Sequence, residues 1–131
     1  GKRTKVDRML ALVGMKAKAD TQGAALNSYE RRLTDVAKCL VGAPKLIMFD
    51  EPAGGLSVSE TRHLGELIKS IHARTGAQVL AIDHDVDLIA DICAETLVLD
   101  FGRRIAFGPT AEVLNDPKVK AAYLGTDEVE V

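Results

Sequence analysis

Residues 45–57 read KLIMFDEPAGGLS, and this stretch is the strongest indicator of the fold. Four apolar residues, 46–49, run without alternation into two adjacent carboxylates, Asp50 and Glu51, and a proline and two glycines follow. An apolar run of this kind predicts a strand that is buried on both faces, as in a parallel sheet. Open α/β sheets bind ligands at the carboxyl ends of their strands. The stretch therefore predicts a pair of acids at the ligand-binding edge of a sheet.

Composition and charge exclude several classes of protein. The chain has 131 residues, of which 47% are hydrophobic and 27% charged, and its net charge is -2. Lys and Arg are scattered, so the basic patch of a nucleic-acid-binding protein is absent from the sequence. No apolar run approaches the roughly 20 residues that span a bilayer, and no signal peptide is recognisable. We therefore expect a cytoplasmic protein with no nucleic-acid partner and no segment inserted into a membrane.

A helix is predicted directly before the acidic strand. Asn27 is a favourable N-cap, and the side chain of Glu30, three residues on, can accept from the Asn27 amide in a capping box. Apolar residues recur at helical spacing between 33 and 40, and Gly42 ends the pattern. The N-terminal amides of this helix therefore face whatever lies before Asn27.

A second helix and a second strand are predicted after the acidic strand. Ser57 and Glu60 repeat the capping-box pattern, and QVLAI at 78–82 is another unalternated apolar run, which ends in Asp83 and His84. Strand, helix and strand in this order predict a right-handed crossover and a parallel strand pair. The acids and Asp83–His84 should then lie at the same edge of the sheet.

The rest of the sequence predicts a hairpin and short helices. Two strand-like runs, TLVLD at 96–100 and RRIAF at 103–107, are joined around Phe101–Gly102. This arrangement is typical of a β-hairpin. Thr110 is expected to cap a short helix. A second short helix should start at Asp116–Pro117, run to Leu124 and end at Gly125, before a frayed acidic end.

The acid pair has two explanations at this level. Two like charges at a dry sheet edge are costly unless a cation or water is near. In a phosphoryl-transfer site, Asp50 would hold Mg²⁺ and Glu51 would polarise the attacking water. An acidic helix cap with a solvated neighbour explains FDEP equally well. These four residues alone leave both interpretations open.

The wider pattern resembles the ATP-binding cassette (ABC) ATPases. LIMFDEP, AGGLS and QVLAIDHD are similar to the Walker B motif, the D-loop and the histidine switch of this family. The resemblance implies that Asp50 ligates Mg²⁺ and that Glu51 is the general base. It further implies that His84 contacts the γ-phosphate and the attacking water, and that Gly54 and Gly55 lie in the D-loop beside the nucleotide.

The family's signature motif has an altered counterpart, ALNSYERRL at 25–33. The motif is commonly LSGGQ and is closer to LSYGERR in branched-chain amino acid importers. By resemblance, Asn27, Ser28, Tyr29 and Glu30 would contact nucleotide. Aligned without a gap, Asn27 replaces the serine and Tyr29 replaces a glycine; aligning Ser28 and Tyr29 with the Ser-Tyr of the motif instead requires deletion of that glycine. That glycine lets bare amides approach the γ-phosphate, and a tyrosine side chain would crowd the approach.

The two ends of the chain specify the subfamily and the domain organisation. Residues 101–125 resemble the end of importer ATPases for branched-chain and related amino acids. Residues 1–26 would end the helical subdomain, and 126–131 would be an acidic tail. Residues 27–125 would be the C-terminal part of the ABC core, a partial P-loop NTPase fold of the α/β class with parallel core strands, flanking helices and a C-terminal hairpin.

The resemblance also implies partners and cofactors. These are ATP and Mg²⁺, transmembrane permease subunits and a second ATPase subunit, with the protein peripheral at the inner face of the cell membrane. No G-x-x-x-x-G-K-[ST] motif occurs in the sequence. Because that Walker A motif supplies most phosphate contacts, we expect the chain alone to bind ATP negligibly and to be inactive. In the family the Walker A strand lies between the counterparts of QVLAI (78–82) and TLVLD (96–100). Without it, two strand edges are unpaired, so we also expect rearrangement or self-association of the chain.

Three hypotheses about function follow. The first is the C-terminal part of the ATP-hydrolysing subunit of an importer for branched-chain or related amino acids. The second is a non-catalytic or regulatory ABC ATPase half with a degenerate signature. The third, an unrelated α/β domain similar to a response regulator, is opposed by the ordered set of motifs. The sequence identifies neither the transported solute nor the effect of the altered signature on hydrolysis.

Overall fold

The computed structural model of the protein describes residues 1–124, with Leu124 described by its backbone alone. The chain divides into two compact units, Gly1–Ile82 and Asp83–Val131. The described α-helices are α1 (Lys2–Leu12), α2 (Ser28–Val41), α3 (Val58–Thr75), α4 (Val86–Ile92), α5 (Thr110–Leu114) and α6 (Pro117–Val119). Short 3₁₀ helices span Lys16–Lys18 and Gly23–Ala25, and a π-helical turn spans Lys120–Leu124. The strands are β1 (Leu46–Asp50), β2 (Gln78–Ile82), β3 (Glu95–Asp100) and β4 (Arg103–Pro109). The predicted domain boundaries at residues 26 and 125 stay predictions, and the division between units follows Ile82.

The first unit contains the predicted parallel strand pair. β1 pairs with β2 in parallel, with Asp50 opposite Ile82, and α3 is the connection between them. α3 begins at the Ser57–Glu60 capping box and ends at Gly76, whose φ of 78° is the left-handed conformation that glycine favours at a helix end. The predicted strand–helix–strand arrangement is confirmed.

The prediction that β1 is buried on both faces is wrong in this structure. Ile47 and Phe49 are buried, but Leu46 and Met48 are exposed, and 70% of the Met48 surface is accessible. Consecutive strand side chains point to opposite faces, so the described residues cover only one face of the β1–β2 pair. Leu80 and Ile82 of β2 are likewise exposed. The buried residues of α3 lie on the covered face of the strand pair, where α3 packs on β2.

The second unit is built on the predicted hairpin. β3 and β4 pair antiparallel around Phe101 and Gly102, both of which have positive φ, the combination that tight hairpin turns require. Its core is a small buried cluster formed by Val98, Val113 and Val119.

The first helix after the hairpin starts differently from the sequence prediction. Thr110 does not cap α5, because it is the first helical residue and Pro109 occupies the cap position. Its hydroxyl is buried and hydrogen-bonds that of Thr96 at 2.7 Å instead. The predicted helix end at Gly125 and the predicted frayed tail at 126–131 lie outside the described residues. Among the residues that are described, none of the helices has the length and apolarity to cross a bilayer.

Candidate functional site

The acid pair lies at the carboxyl edge of the β1–β2 pair, as the sequence predicts. Asp50 is the last residue of β1, and Glu51 follows it; both are exposed. The Glu51 amide donates to the Ile82 carbonyl at 2.7 Å, so the neighbouring strand holds the backbone at this point. Glu51 has a φ of 49°, which is uncommon for a residue other than glycine and tends to occur at functional sites.

The loop after the acids, residues 52–56, has a tightly folded backbone. The Gly54 amide donates to the Glu51 carbonyl at 3.1 Å, and the Leu56 amide donates to the Ala53 carbonyl at 3.1 Å. Gly55 has a φ of 75°, and a Cβ atom at Gly54 would lie 3.3 Å from the Glu51 carbonyl oxygen. Both glycines therefore have a backbone role here. Their contact with a nucleotide stays a prediction.

The helix predicted to contact phosphate, α2, starts as the sequence indicates. The Asn27 side chain accepts from the Glu30 amide at 2.8 Å, and the Asn27 amide donates to the Glu30 carboxylate at 3.0 Å. The amides of Ser28 and Tyr29 are in the first turn, too early for an intrahelical acceptor. Such amides are the usual binding groups for anions at a helix N-terminus. The nucleotide contacts predicted for these four residues stay predictions.

The side chain of Tyr29 lies close to the start of α3. Partial burial raises the pKa of Tyr29 above its ordinary value, and the negative charge of the Glu60 carboxylate raises it further. Glu60 belongs to the capping box of α3. The aromatic ring that replaces the signature glycine is therefore half-buried beside another element of the same unit.

Arg32 contacts the loop of residues 52–56, a contact that no motif in the sequence indicates. Its Nη1 atom donates to the Pro52 carbonyl at 2.7 Å and to the Gly54 carbonyl at 2.6 Å. Arg32 and Asp50 both line a cavity of about 180 Å³ between α2 and β1. No sequence pattern could indicate this contact, because it joins positions 20 and 22 residues apart through backbone carbonyls.

Lys18 modifies the electrostatics of the helix start. Its Nζ atom hydrogen-bonds the Glu30 carboxylate. This contact is the largest cause that lowers the pKa of Glu30 below its ordinary value, and the hydrogen bond from the Asn27 amide is the next. Because the folded-state pKa is lowered, the stabilisation from ionised Glu30 is present above the ordinary pKa and is lost as the pH falls through the folded value.

We expect an NMR titration to place the pKa of the Glu30 carboxyl below its ordinary value of 4.5. Lys18→Ala should return it toward that value, because the main stabilising partner of the ionised form is removed. Lys16→Ala, two residues away, is the matched control and should leave it unchanged. A Glu30 pKa at or above its ordinary value in the parent chain would contradict this prediction.

His84 follows β2 by two residues and belongs to the second unit. Its side chain is 76% exposed, and its Nδ1 atom lies 3.8 Å from a carboxylate oxygen of Asp83, whose side chain is buried. An exposed imidazole is accessible to a ligand. The prediction that His84 meets the γ-phosphate stays a prediction.

The described residues contain no group of three or more His, Cys, Asp or Glu side chains placed to hold a metal ion. Proteins usually bind Mg²⁺ through one or two carboxylates, while phosphate and water supply the other ligands. The exposed Asp50 carboxylate offers one such ligand.

Comparison with known protein sequences gives a consistent set of relatives. A family model described as "Branched-chain amino acid ATP-binding cassette transporter" matches residues 103–129. The branched-chain amino acid transport ATP-binding protein LivG of Salmonella typhimurium is 35% identical over 116 residues, 88% of this chain and 46% of the relative. The lipopolysaccharide export ATP-binding protein LptB of Acidithiobacillus ferridurans is 33% identical over 91% of this chain and 49% of its own length. The chain thus spans about half the length of these relatives.

Comparison with solved structures agrees on the fold. The ATP-binding cassette MJ1267 in its ADP conformation superposes with a TM-score of 0.84 over 95% of this chain and 50% of that protein, at 24% identity. At this identity the similarity concerns the fold alone. The predicted α/β class with parallel core strands, flanking helices and a C-terminal hairpin is confirmed.

Proposed function

We propose that this chain, which corresponds to a C-terminal portion of an ATP-binding cassette ATPase, supplies the metal and water end of an ATP-hydrolysing site. The observation that carries the proposal is the acid edge: Asp50 and Glu51 lie at the carboxyl end of a parallel strand, and the Glu51 backbone is held by the adjoining strand. Ligands of open α/β sheets bind at this edge.

Each residue has a defined task in this proposal. The Asp50 carboxylate holds Mg²⁺, which when bound neutralises charge on the phosphates. The Glu51 carboxylate accepts the proton of the attacking water. His84 keeps the role that the family resemblance implies, which is contact with the γ-phosphate. Gly54 and Gly55 give the loop the shape that follows Glu51.

The start of α2 supplies the opposite side of an ATP site in this proposal. The Ser28 and Tyr29 amides bind phosphate, while the Asn27 and Glu30 side chains keep the first turn in place through their capping box. Tyr29 differs from the family's glycine, but its ring lies beside Glu60 and is half-buried there. This placement supports a helix start that can still accept a phosphate.

We further propose that the whole protein is the ATPase subunit of an importer for branched-chain or related amino acids. The family model at the C-terminal end and the LivG relatives support this solute class. The subunit would work with transmembrane permease subunits and a second ATPase subunit, peripheral at the inner face of the membrane. A non-catalytic ATPase half, the alternative suggested by the altered signature, is not favoured by these relatives.

The proposal is tested by ATP hydrolysis of the complete subunit assembled with its permease partners. We expect hydrolysis that requires Mg²⁺ and that Asp50→Asn abolishes or makes dependent on higher Mg²⁺ concentrations. Tyr29→Gly should change the rate only a few-fold, since the Tyr29 side chain is partly buried and lies near enough to Glu60 to be affected by its charge. Absent hydrolysis that Tyr29→Gly restores would overturn the catalytic proposal in favour of the non-catalytic alternative.

The chain alone should bind Mg-ATP weakly, with a Kd above about 1 mM, since a Walker A motif is missing from its sequence and that motif supplies most phosphate contacts. Isothermal titration calorimetry of the 131-residue chain measures this affinity. Micromolar affinity would show that the described acid edge and α2 suffice for binding.

The open face of the β1–β2 pair should cause the isolated chain to self-associate. Leu46, Met48, Leu80 and Ile82 are all exposed on these two strands, and contiguous apolar patches on a protein surface tend to be interaction sites. Met48→Lys should therefore shift the chain toward monomer in sedimentation velocity. Val58→Lys, at another strongly exposed apolar residue, which lies on α3, is the control and should leave the association unchanged. A chain that stays monomeric at all concentrations would contradict the prediction.

A further inference from the structure

We propose that Arg32 is a positioning residue, which fixes the loop of residues 52–56 to α2 and thereby holds Glu51 in its working geometry. The inference rests on the proposed function for its catalytic part. Its structural part, that one arginine determines the order of this loop, stands on the contacts within the first unit alone.

The contact is specific in its chemistry. The two hydrogens of the Nη1 nitrogen match the two acceptors that lie against it, the Pro52 and Gly54 carbonyls at 2.7 and 2.6 Å. Hydrogen bonds from a charged donor are stronger than neutral ones. Arg32 is half-buried and Pro52 is buried, which protects these bonds from competition with water.

The loop depends on this contact because its two ends are held by other groups. On one side, the Glu51 amide is bound to the Ile82 carbonyl at 2.7 Å. On the other side, the Ser57 amide is bound to the Glu60 carboxylate at 3.0 Å in the capping box of α3. Between these ends, Arg32 donates two hydrogen bonds that join the loop to α2.

The backbone conformation of the loop makes such support necessary. Glu51 and Gly55 both have positive φ, and this conformation is unfavourable for a side-chain-bearing residue such as Glu51. A strained backbone of this kind persists only where surrounding contacts hold it. Without Arg32, the carbonyls of Pro52 and Gly54 could rotate away, and the Glu51 backbone could relax toward a commoner conformation.

This arrangement also links two regions of the chain that the proposed function uses, the first turn of α2 and the loop after Glu51. Arg32 directly follows the first turn of α2, the turn proposed to bind phosphate. Its guanidinium reaches the loop that follows the general base. A shift of α2 on phosphate binding would therefore move the loop, so Arg32 should affect turnover more than nucleotide affinity.

Hydrogen–deuterium exchange of the 131-residue chain tests the structural part. Arg32→Gln should accelerate exchange of the Gly54 and Leu56 amides by about tenfold, because the loop opens more often. Arg32→Lys, which keeps a charged donor, should show a smaller change. Arg31→Gln is the matched control, since Arg31 donates to the Gly23 carbonyl at 3.3 Å and not to the loop.

Exchange that is unchanged in Arg32→Gln would overturn the structural part. If Arg32→Gln does not fold, exchange is measured on Arg32→Lys instead. A folded Arg32→Lys chain whose loop amides exchange faster than those of Arg31→Gln supports the proposal. Unfolding of both Arg32 variants would overturn it, because Arg32 would then support the whole unit and not the loop specifically.

Hydrolysis by the complete subunit with its permease partners tests the catalytic part. Arg32→Gln should lower kcat about tenfold with little change in KM, since misplacement of a reacting group affects turnover more than binding. In a Glu51→Gln background, Arg32→Gln should cause no further loss, because residues that act through one another are not additive.

An equal loss of kcat in both backgrounds would overturn the catalytic part. Failure of the proposed function looks different: the parent subunit would then show no Mg²⁺-dependent hydrolysis, while faster loop exchange in Arg32→Gln would still be measured.

Discussion

Replacing Glu51 with Gln is expected to lower ATP hydrolysis by the complete subunit by about 10²–10⁴-fold, the usual contribution of a general base. The amide cannot accept the proton of the attacking water. Gln has the same length as Glu, and the bond from the residue 51 amide to the Ile82 carbonyl does not involve the side chain. The fold and the affinity for ATP should therefore be retained. Steady-state hydrolysis and equilibrium ATP binding measure the two quantities separately.

Glu66→Gln is the matched control for this experiment. Glu66 is an exposed residue of α3 whose carboxylate lies 2.9 Å from the Lys69 amine, a surface ion pair of little energetic weight. Its replacement should leave hydrolysis within about twofold of the parent. A Glu51→Gln subunit that hydrolyses ATP at the parent rate would exclude Glu51 as the general base.

Leu64→Ala is expected to cost about 2–5 kcal/mol of stability, the range seen for large-to-small changes in protein cores. Leu64 on α3 has no accessible surface, and neither has Ile71 two turns later on the same helix. The change removes buried apolar atoms and leaves a cavity among neighbours that can relax only in part. Urea denaturation followed by the helical circular dichroism signal gives the loss of free energy.

Val58→Ala, in the first turn of the same helix, is the comparison for Leu64→Ala. Val58 is 79% exposed, so its truncation removes little buried surface and should change stability by less than about 0.5 kcal/mol. Equal losses for the two variants would show that α3 does not form the core of the first unit.

Local patterns predicted much of the candidate site. The two capping boxes, Asn27 with Glu30 and Ser57 with Glu60, lie where the sequence indicates. Caps depend on residues three positions apart, so a single stretch of sequence contains all the information that they require. The parallel pair that carries Asp50 followed from the order of strand, helix and strand, because the crossover rule requires only that order.

Features that depend on contacts between distant segments could not be predicted from the sequence. The apolar run of KLIMFDEPAGGLS predicted burial of both faces, yet Met48 is exposed, because coverage of a strand depends on which distant segments pack against it. The position of the Tyr29 ring beside Glu60 likewise joins elements that are far apart in sequence.

The sequence alone determined the acid pair, the strand that carries it and the helices on either side. Only the tertiary structure decided how Glu51 and its loop are held: the Ile82 carbonyl on the neighbouring strand binds the Glu51 amide, and Arg32 binds the loop carbonyls. The physical reason is that these contacts are made to backbone groups, which every residue carries and which therefore leave no mark in the sequence.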